Sequence, residues 1–339
     1  MPITARASPR VLVIGAGVAG LAAATVLAER GAAVTLADRA DPASRASHVA
    51  GGMLAPWCEA ADAPPALLAP GIAAIDWWAA RVPGTVRRGS LLVAARRDRA
   101  ELDRFARRST GHRRCDAGEI AALEPDLEGR FADGLFFRGE AHLDPRAALS
   151  CLADSLARRG VPFHAGEADV SNGEGFDHVL DCRGHAAAAA LPALRGVRGE
   201  MLLLRCSGVS LSRPVRLLHP RIPLYVVPRG DGLFMVGATM VESADRRAVT
   251  ARSAMELLNA AYALHPAFGE AEIVEMGSNI RPAFADNMPR LVRDGAVLRL
   301  NGLYRHGFLL SPMLAAEAAA AVFGEATTTI TPQPPGEAA

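Results

Sequence analysis

The stretch RVLVIGAGVAGLAAATVLAERG, from Arg10 to Gly31, constrains the fold more than any other part of the chain. RVLVIGAG, Arg10 to Gly17, has an apolar run without alternation after its arginine and reads as a buried parallel strand. Gly15, Gly17 and Gly20 then give GxGxxG at the junction with an apolar helix that Gly31 closes. AAVTLADR reads as a second strand, so the opening of the chain predicts a βαβ unit. A glycine turn of this kind presents backbone N–H groups and the positive end of a helix to a pyrophosphate. Asp38 ends the second strand eighteen residues after Gly20, where a carboxylate accepts hydrogen bonds from ribose hydroxyls. A dinucleotide site follows, and these residues leave NAD and FAD both open.

The eighteen uncharged residues from Val11 to Ala28, preceded by Arg6 and Arg10, also imitate a signal or membrane segment. Their glycines decide against it. Each would weaken a continuous helix by about 1 kcal/mol, yet all three fall where a strand, a tight turn and a helix need them. The expectation is a cytoplasmic protein with no membrane association.

The chain has 339 residues, half of them apolar, enough for two domains at about 150 residues each. Its 37 basic and 36 acidic residues leave a net charge of +1, which gives no footprint for nucleic acid and favours small-molecule partners. Every basic residue is Arg and none is Lys, which excludes Schiff-base and Walker-type phosphate chemistry. The five cysteines lack CxxC spacing and read as reduced thiols in small core positions. Nine scattered histidines with no HExxH give no metal site, and GxSxG is absent, against a serine hydrolase.

Elements of the two domains alternate along the chain. After the βαβ unit comes a loop of small residues, ASRASHVAGGMLAP, and an apolar helix near 67–80 with Trp77 and Trp78. GSLLVAA, two polar-faced helices and LFF then suggest a second domain interrupting the first. PRAALSCLADSLARRG and FDHVLDCRG return to the pattern of a doubly wound sheet. EMLLLRC, PLYVVPRG and LFMVGATMVE read as antiparallel strands around a helix at about 251–262. The expected fold is α/β, a Rossmann-like dinucleotide domain at 1–80, 139–196 and 277–325 interleaved with an α+β substrate domain at 81–138 and 197–276 built on a mixed or antiparallel sheet. Residues 326–339, rich in Thr and Pro, read as a flexible tail.

Two further stretches bear on chemistry. GGMLAP, Gly51 to Pro56, has so little side-chain bulk that its backbone could lie flat against an aromatic ring system such as isoalloxazine, although an ordinary surface loop would read the same. NGLYRHGFLLSP, Asn301 to Pro312, precedes an alanine-rich run, and Ser311 with Pro312 reads as an N-cap followed by the first helical position. His306 beside Arg305 invites a general-base role, but a lone His is more often a structural hydrogen-bonding residue.

Taken in order, GxGxxG, ASHVAGGMLAP, LYVVPRGDGLFMVGATM, NIRPAF and GLYRHGFLLSP resemble the flavin-dependent D-amino-acid oxidase superfamily, and within it the glycine oxidases of thiamine biosynthesis. The resemblance implies noncovalent FAD, with Gly15, Gly17, Gly20 and Asp38 on its adenosine and pyrophosphate side. Gly51, Gly52 and Met53, and from the C-terminal block Gly307, Leu309 and Leu310, would lie along the flavin. No cysteine follows Cys206, so no covalent flavin link of the sarcosine-oxidase kind is implied. Arg281 and Tyr225 would hold a substrate carboxylate, and Arg305 would add a second positive charge.

The activity implied is oxidation of glycine, sarcosine and small D-amino acids, with O2 taken to H2O2; the alternative is a D-amino-acid or related amine dehydrogenase with another acceptor. A thiazole synthase as partner and a homo-oligomeric state are further implications. The segment PAFADNMPRLVRDGAVLRLNG departs from family members that are longer and richer in glycine here.

Overall fold

The computed structural model describes residues 8–39, 41–59, 64–168, 170–219, 224–327 and 330–332. It divides into two compact units, one of Met1–His48, Ala148–Gly196 and Arg281–Ala339, the other of Val49–Ala147 and Val197–Ile280. The first switch between them falls at His48 and Val49, where the sequence reading puts it after residue 80. The cause is a two-residue strand, Met53–Leu54, that pairs antiparallel with Ala141–His142 and ties the GGML segment into the second unit.

The first unit is built on β1 (Arg10–Ile14), α1 (Val18–Glu29) and β2 (Ala33–Asp38). β1 pairs parallel with β2 on one side and with the strand His178–Asp181 on the other. Phe163–Ala165 extends the sheet beyond β2, and Val297–Asn301, Arg290–Asp294 and Ile330–Pro332 extend the opposite side. The last of these runs parallel to Arg290–Asp294, so part of the expected tail completes a sheet edge; residues 333–339 lie outside the described residues. α1 is apolar all round and packs on the equally apolar helix Gly307–Val322, which explains why neither carries a polar face. Gly31 takes φ +86° just past α1, a left-handed ending that glycine adopts without strain.

The second unit holds a nine-stranded sheet in the order Val241–Glu242, Arg195–Arg205, Leu233–Gly237, Leu224–Gly230, Val215–Leu218, Ser90–Ala94, Asp133–Phe137, Arg113–Asp116, with Glu272–Ala283 also paired to Arg195–Arg205. Val215–Leu218 and Ser90–Ala94 run parallel to each other, while Leu224–Gly230 and Asp133–Phe137 on their outer sides pair antiparallel with them. Both faces of the central strands are covered, which is why EMLLLR reads as a continuous apolar run. Leu202, Leu204, Val226 and Val236 face Leu257, Ala261 and Leu264 of the helix Ala251–Leu264. Met201, Leu203, Val227 and Met235 face the other way, toward Val49, Met53 and Tyr225.

Candidate functional site

In the first unit the turn after β1 has room for glycine alone. Gly15 has φ +102°, and a Cβ there would sit 2.7 Å from the carbonyl oxygen of Cys182, just beyond the strand His178–Asp181. Strand order reverses at β1, with β2 on one side and His178–Asp181 on the other, which opens the crevice where doubly wound sheets take ligands. α1 begins at this crevice. Its N-cap, Gly17, has no side chain to offer, and Ser47 Oγ instead accepts from the Val18 N–H at 3.0 Å.

The last helix starts four residues before the expected Ser311. Its first residue is Gly307 and its N-cap is His306, whose carbonyl accepts the Leu310 N–H at 2.8 Å. Ser311 and Pro312 are buried inside the helix, so the positive end lies at Gly307–Leu309. A turn that sequence patterning does not reveal moves the start. Gly302 is at φ +80° with its open side filled by the Phe284 ring, and Tyr304 is at φ +47°, an uncommon conformation for a bulky residue. A Cβ on Gly307 would lie 3.3 Å from Val18 Cγ1, so the N-termini of both helices converge. His306 is buried and starts this helix through its backbone.

Asp38, at the end of β2, accepts from Arg45 Nε at 2.6 Å and from the Arg39 N–H at 2.8 Å. A cleft of about 290 Å³ lies against Leu36, Arg45, Asp154 and Phe163. Arg281 and Arg305 stand on segments that meet: the N–H of Tyr304 donates to the Pro282 carbonyl at 2.8 Å, one residue from each arginine. Arg195 braces this meeting, with its guanidinium 5.7 Å from the Tyr304 ring centroid and Nη2 donating to Asn287 Oδ1 at 2.5 Å.

The second unit carries Gly51, Gly52, Met53 and Tyr225. The Tyr225 ring fits between two glycines: a Cβ on Gly51 would lie 2.8 Å from its Cε2, and one on Gly237 would lie 3.3 Å from its hydroxyl. Gly52 is at φ +70° and so close to Leu143 that a Cβ would meet that carbonyl at 2.1 Å. Arg229, four residues along the strand from Tyr225, donates to the carbonyls of Leu143 and Gly51 at 2.8 Å each and of Ala50 at 3.3 Å. The site residues thus fall into two sets, one in each unit.

The family profile described as FAD dependent oxidoreductase, DAO, matches residues 10–321. The chain belongs to that family. It is 58% identical over 315 residues to the "Putative thiamine biosynthesis oxidoreductase ThiO" of Rhizobium etli, covering 91% of this chain and 95% of that one. The "Bifunctional protein ThiO/ThiG" of Synechocystis is 28% identical over 90% of this chain and 50% of its own length. Among solved structures, the glycine oxidase of Geobacillus kaustophilus superposes with a TM-score of 0.79 at 25% identity, covering 95% of this chain and 97% of that one. This family member therefore uses FAD, and its glycine turn, paired helix ends and Asp38 suit such a cofactor: close-approach backbone and helix N-termini for a pyrophosphate, a braced carboxylate for a ribose.

Sequence reasoning missed Arg45, Ser47, Arg195 and Arg229. With every basic residue an arginine, nothing in the sequence marks which few turn inward. Ser47 carried a usable signal, a hydroxyl in a loop of small residues following a capless helix start.

Proposed function

We propose that this FAD-dependent amino-acid oxidase acts on glycine, and also on sarcosine and small D-amino acids. The amine is oxidised to the imine, water releases the 2-oxo acid and the amine nitrogen, and O2 leaves as H2O2. Bound FAD supplies the two-electron oxidation of the C–N bond.

The chain's own part is positioning. Arg281 takes the substrate carboxylate in a bidentate grip, Tyr225 donates to it, and Arg305 adds positive charge. Gly15, Gly17, Gly20 and Asp38 hold the dinucleotide end. Gly51, Gly52 and Met53, with Gly307, Leu309 and Leu310, line the flavin. The observation that carries this reading is the glycine slot around Tyr225, which seats a phenol against the Gly51 backbone at the small-residue stretch.

The imine suits thiazole formation in thiamine synthesis, with a thiazole synthase as its receiver, and the reading includes a homo-oligomer in the cytoplasm, a compartment that suits five cysteines none of which is in a disulfide among the described residues. A second reading, a dehydrogenase passing electrons to a carrier, draws on the absence of any lysine to assist the reaction with O2. Anaerobic mixing with glycine, sarcosine and D-alanine tests the first. Bleaching of the flavin band followed by peroxide release on adding air supports it, and a band that none of the three substrates bleaches sinks it. Bleaching with dye reduction but no peroxide selects the second reading.

A further inference from the structure

Arg229 is the extra residue of a β-bulge. Pro228 pairs with Phe234 and Gly230 with Leu233, so Arg229 has no partner across the ladder and its side chain is turned out of register. Its guanidinium spends its donors on backbone: Leu143, Ala50 and Gly51 carbonyls. Among the described residues no carboxylate lies within ion-pair distance of it. A half-buried guanidinium held only by carbonyls is an expensive way to fasten a loop, since a neutral donor would do the same with less desolvation. Desolvation draws its pKa down to about 10, against the opposing effects of Asp144 and Tyr225.

The consequence lies on the other side of the peptides. Both the Ala50–Gly51 and Gly51–Gly52 bonds are trans, so each N–H points opposite to its own carbonyl. With the Ala50 and Gly51 oxygens fixed on Arg229, the N–H groups of Gly51 and Gly52 are turned away from it. Neither finds an acceptor among the described residues. Both carbonyls accept from the one Arg229 Nη2, at 3.3 Å for Ala50 and 2.8 Å for Gly51, so both N–H groups face the side opposite that nitrogen.

We propose that Arg229 is a positioning residue that aims and polarises the Gly51 and Gly52 N–H groups as a two-donor site for the electron-rich edge of the flavin ring. It rests on the reading of Gly51–Met53 as the flavin-facing segment. Substitution of Arg229 should then alter how well the protein stabilises negative charge on the ring, not merely how well it folds.

Sulfite, which adds its lone pair to oxidised flavin and leaves negative charge on the ring, is the probe, titrated at saturating FAD. Arg229→Met should weaken sulfite binding by about tenfold or more, the loss expected from unaiming a charge-assisted donor pair. Arg229→Lys, which keeps the charge but cannot fork across three carbonyls, should fall between Met and wild type and serves if the Met variant does not fold. Arg146→Met, removing an arginine paired to Glu275 at 2.6 Å in the same unit, should leave the constant unchanged. Equal sulfite constants in wild type, Arg229→Met and Arg229→Lys, or an equal loss in Arg146→Met, overturn the proposal. The titration uses no amine, so an enzyme that ignored glycine would refute the proposed substrate and leave this inference standing.

Discussion

A side chain on Gly20 would begin 1.7 Å from the carbonyl oxygen of Gly15. The first turn of α1 therefore rests directly on the loop that leads into it, and Gly15 is itself pinned against Cys182. Backbone on three segments meets here with no layer of side chains between. Gly20→Val should force the turn open, and the purified protein should emerge without bound flavin; a variant that keeps a full complement of FAD would show the close packing to be dispensable.

Asp38 is held by Arg45 and by the Arg39 N–H before any ligand arrives. A carboxylate fixed in this way loses little entropy when it accepts ribose hydroxyls. Asp38→Asn removes the charge while keeping the shape, and should weaken FAD by about tenfold in a fluorescence titration, the worth of one charged hydrogen bond. An unchanged dissociation constant would mean that Asp38 serves Arg45 alone.

Arg281→Met separates substrate recognition from cofactor retention. The glycine KM should rise by about a hundredfold or more, as expected when a bidentate carboxylate partner is lost, while the flavin stays bound. Release of flavin with KM unchanged would move Arg281 from the substrate to the cofactor.

Two buried titratable groups of the second unit give stability opposite dependences on pH. Burial, with the Arg229, Arg88 and Arg213 charges adding to it, lowers the pKa of His142 to about 4 from 6.5. The unfolded chain takes the proton more readily, so the stability that the neutral ring allows is present above pH 6.5 and is lost as pH falls through 4. Burial raises Glu140 to about 8 from 4.5, although its carboxylate accepts the Cys58 N–H at 2.7 Å. Here stability is fully present below pH 4.5 and is lost as pH rises through about 8. Each pKa unit is worth about 1.4 kcal/mol. Melting temperatures of His142→Gln should flatten on the acid side and those of Glu140→Gln on the alkaline side; profiles parallel to wild type would assign the slopes to other groups.

The βαβ start, the glycine turn and the alternation of two sheet systems were legible because each rests on local patterning: apolar runs, periodicity and glycine at a turn. What escaped depends on contacts between distant segments. Ser311 and Pro312 are a sound local start signal, overruled because Tyr304 hydrogen-bonds to Pro282 and begins the helix at Gly307. The switch of units at Val49 hangs on a strand of two residues, too short to show a period. Ile330–Pro332 sits in a Thr- and Pro-rich stretch and becomes a strand only because Arg290–Asp294 offers it an edge. The candidate site residues rest on motifs that carry the family resemblance; Arg229 has no such motif, and its inward position comes from a bulge.

The helix that covers α1 is the last among the described residues, and Val18 waits for a neighbour almost three hundred residues downstream. During synthesis the N-terminal glycine turn is thus made first and finished last: a nascent chain that has not yet reached Gly307 exposes the uniformly apolar surface of Val18–Glu29 to whatever surrounds the ribosome.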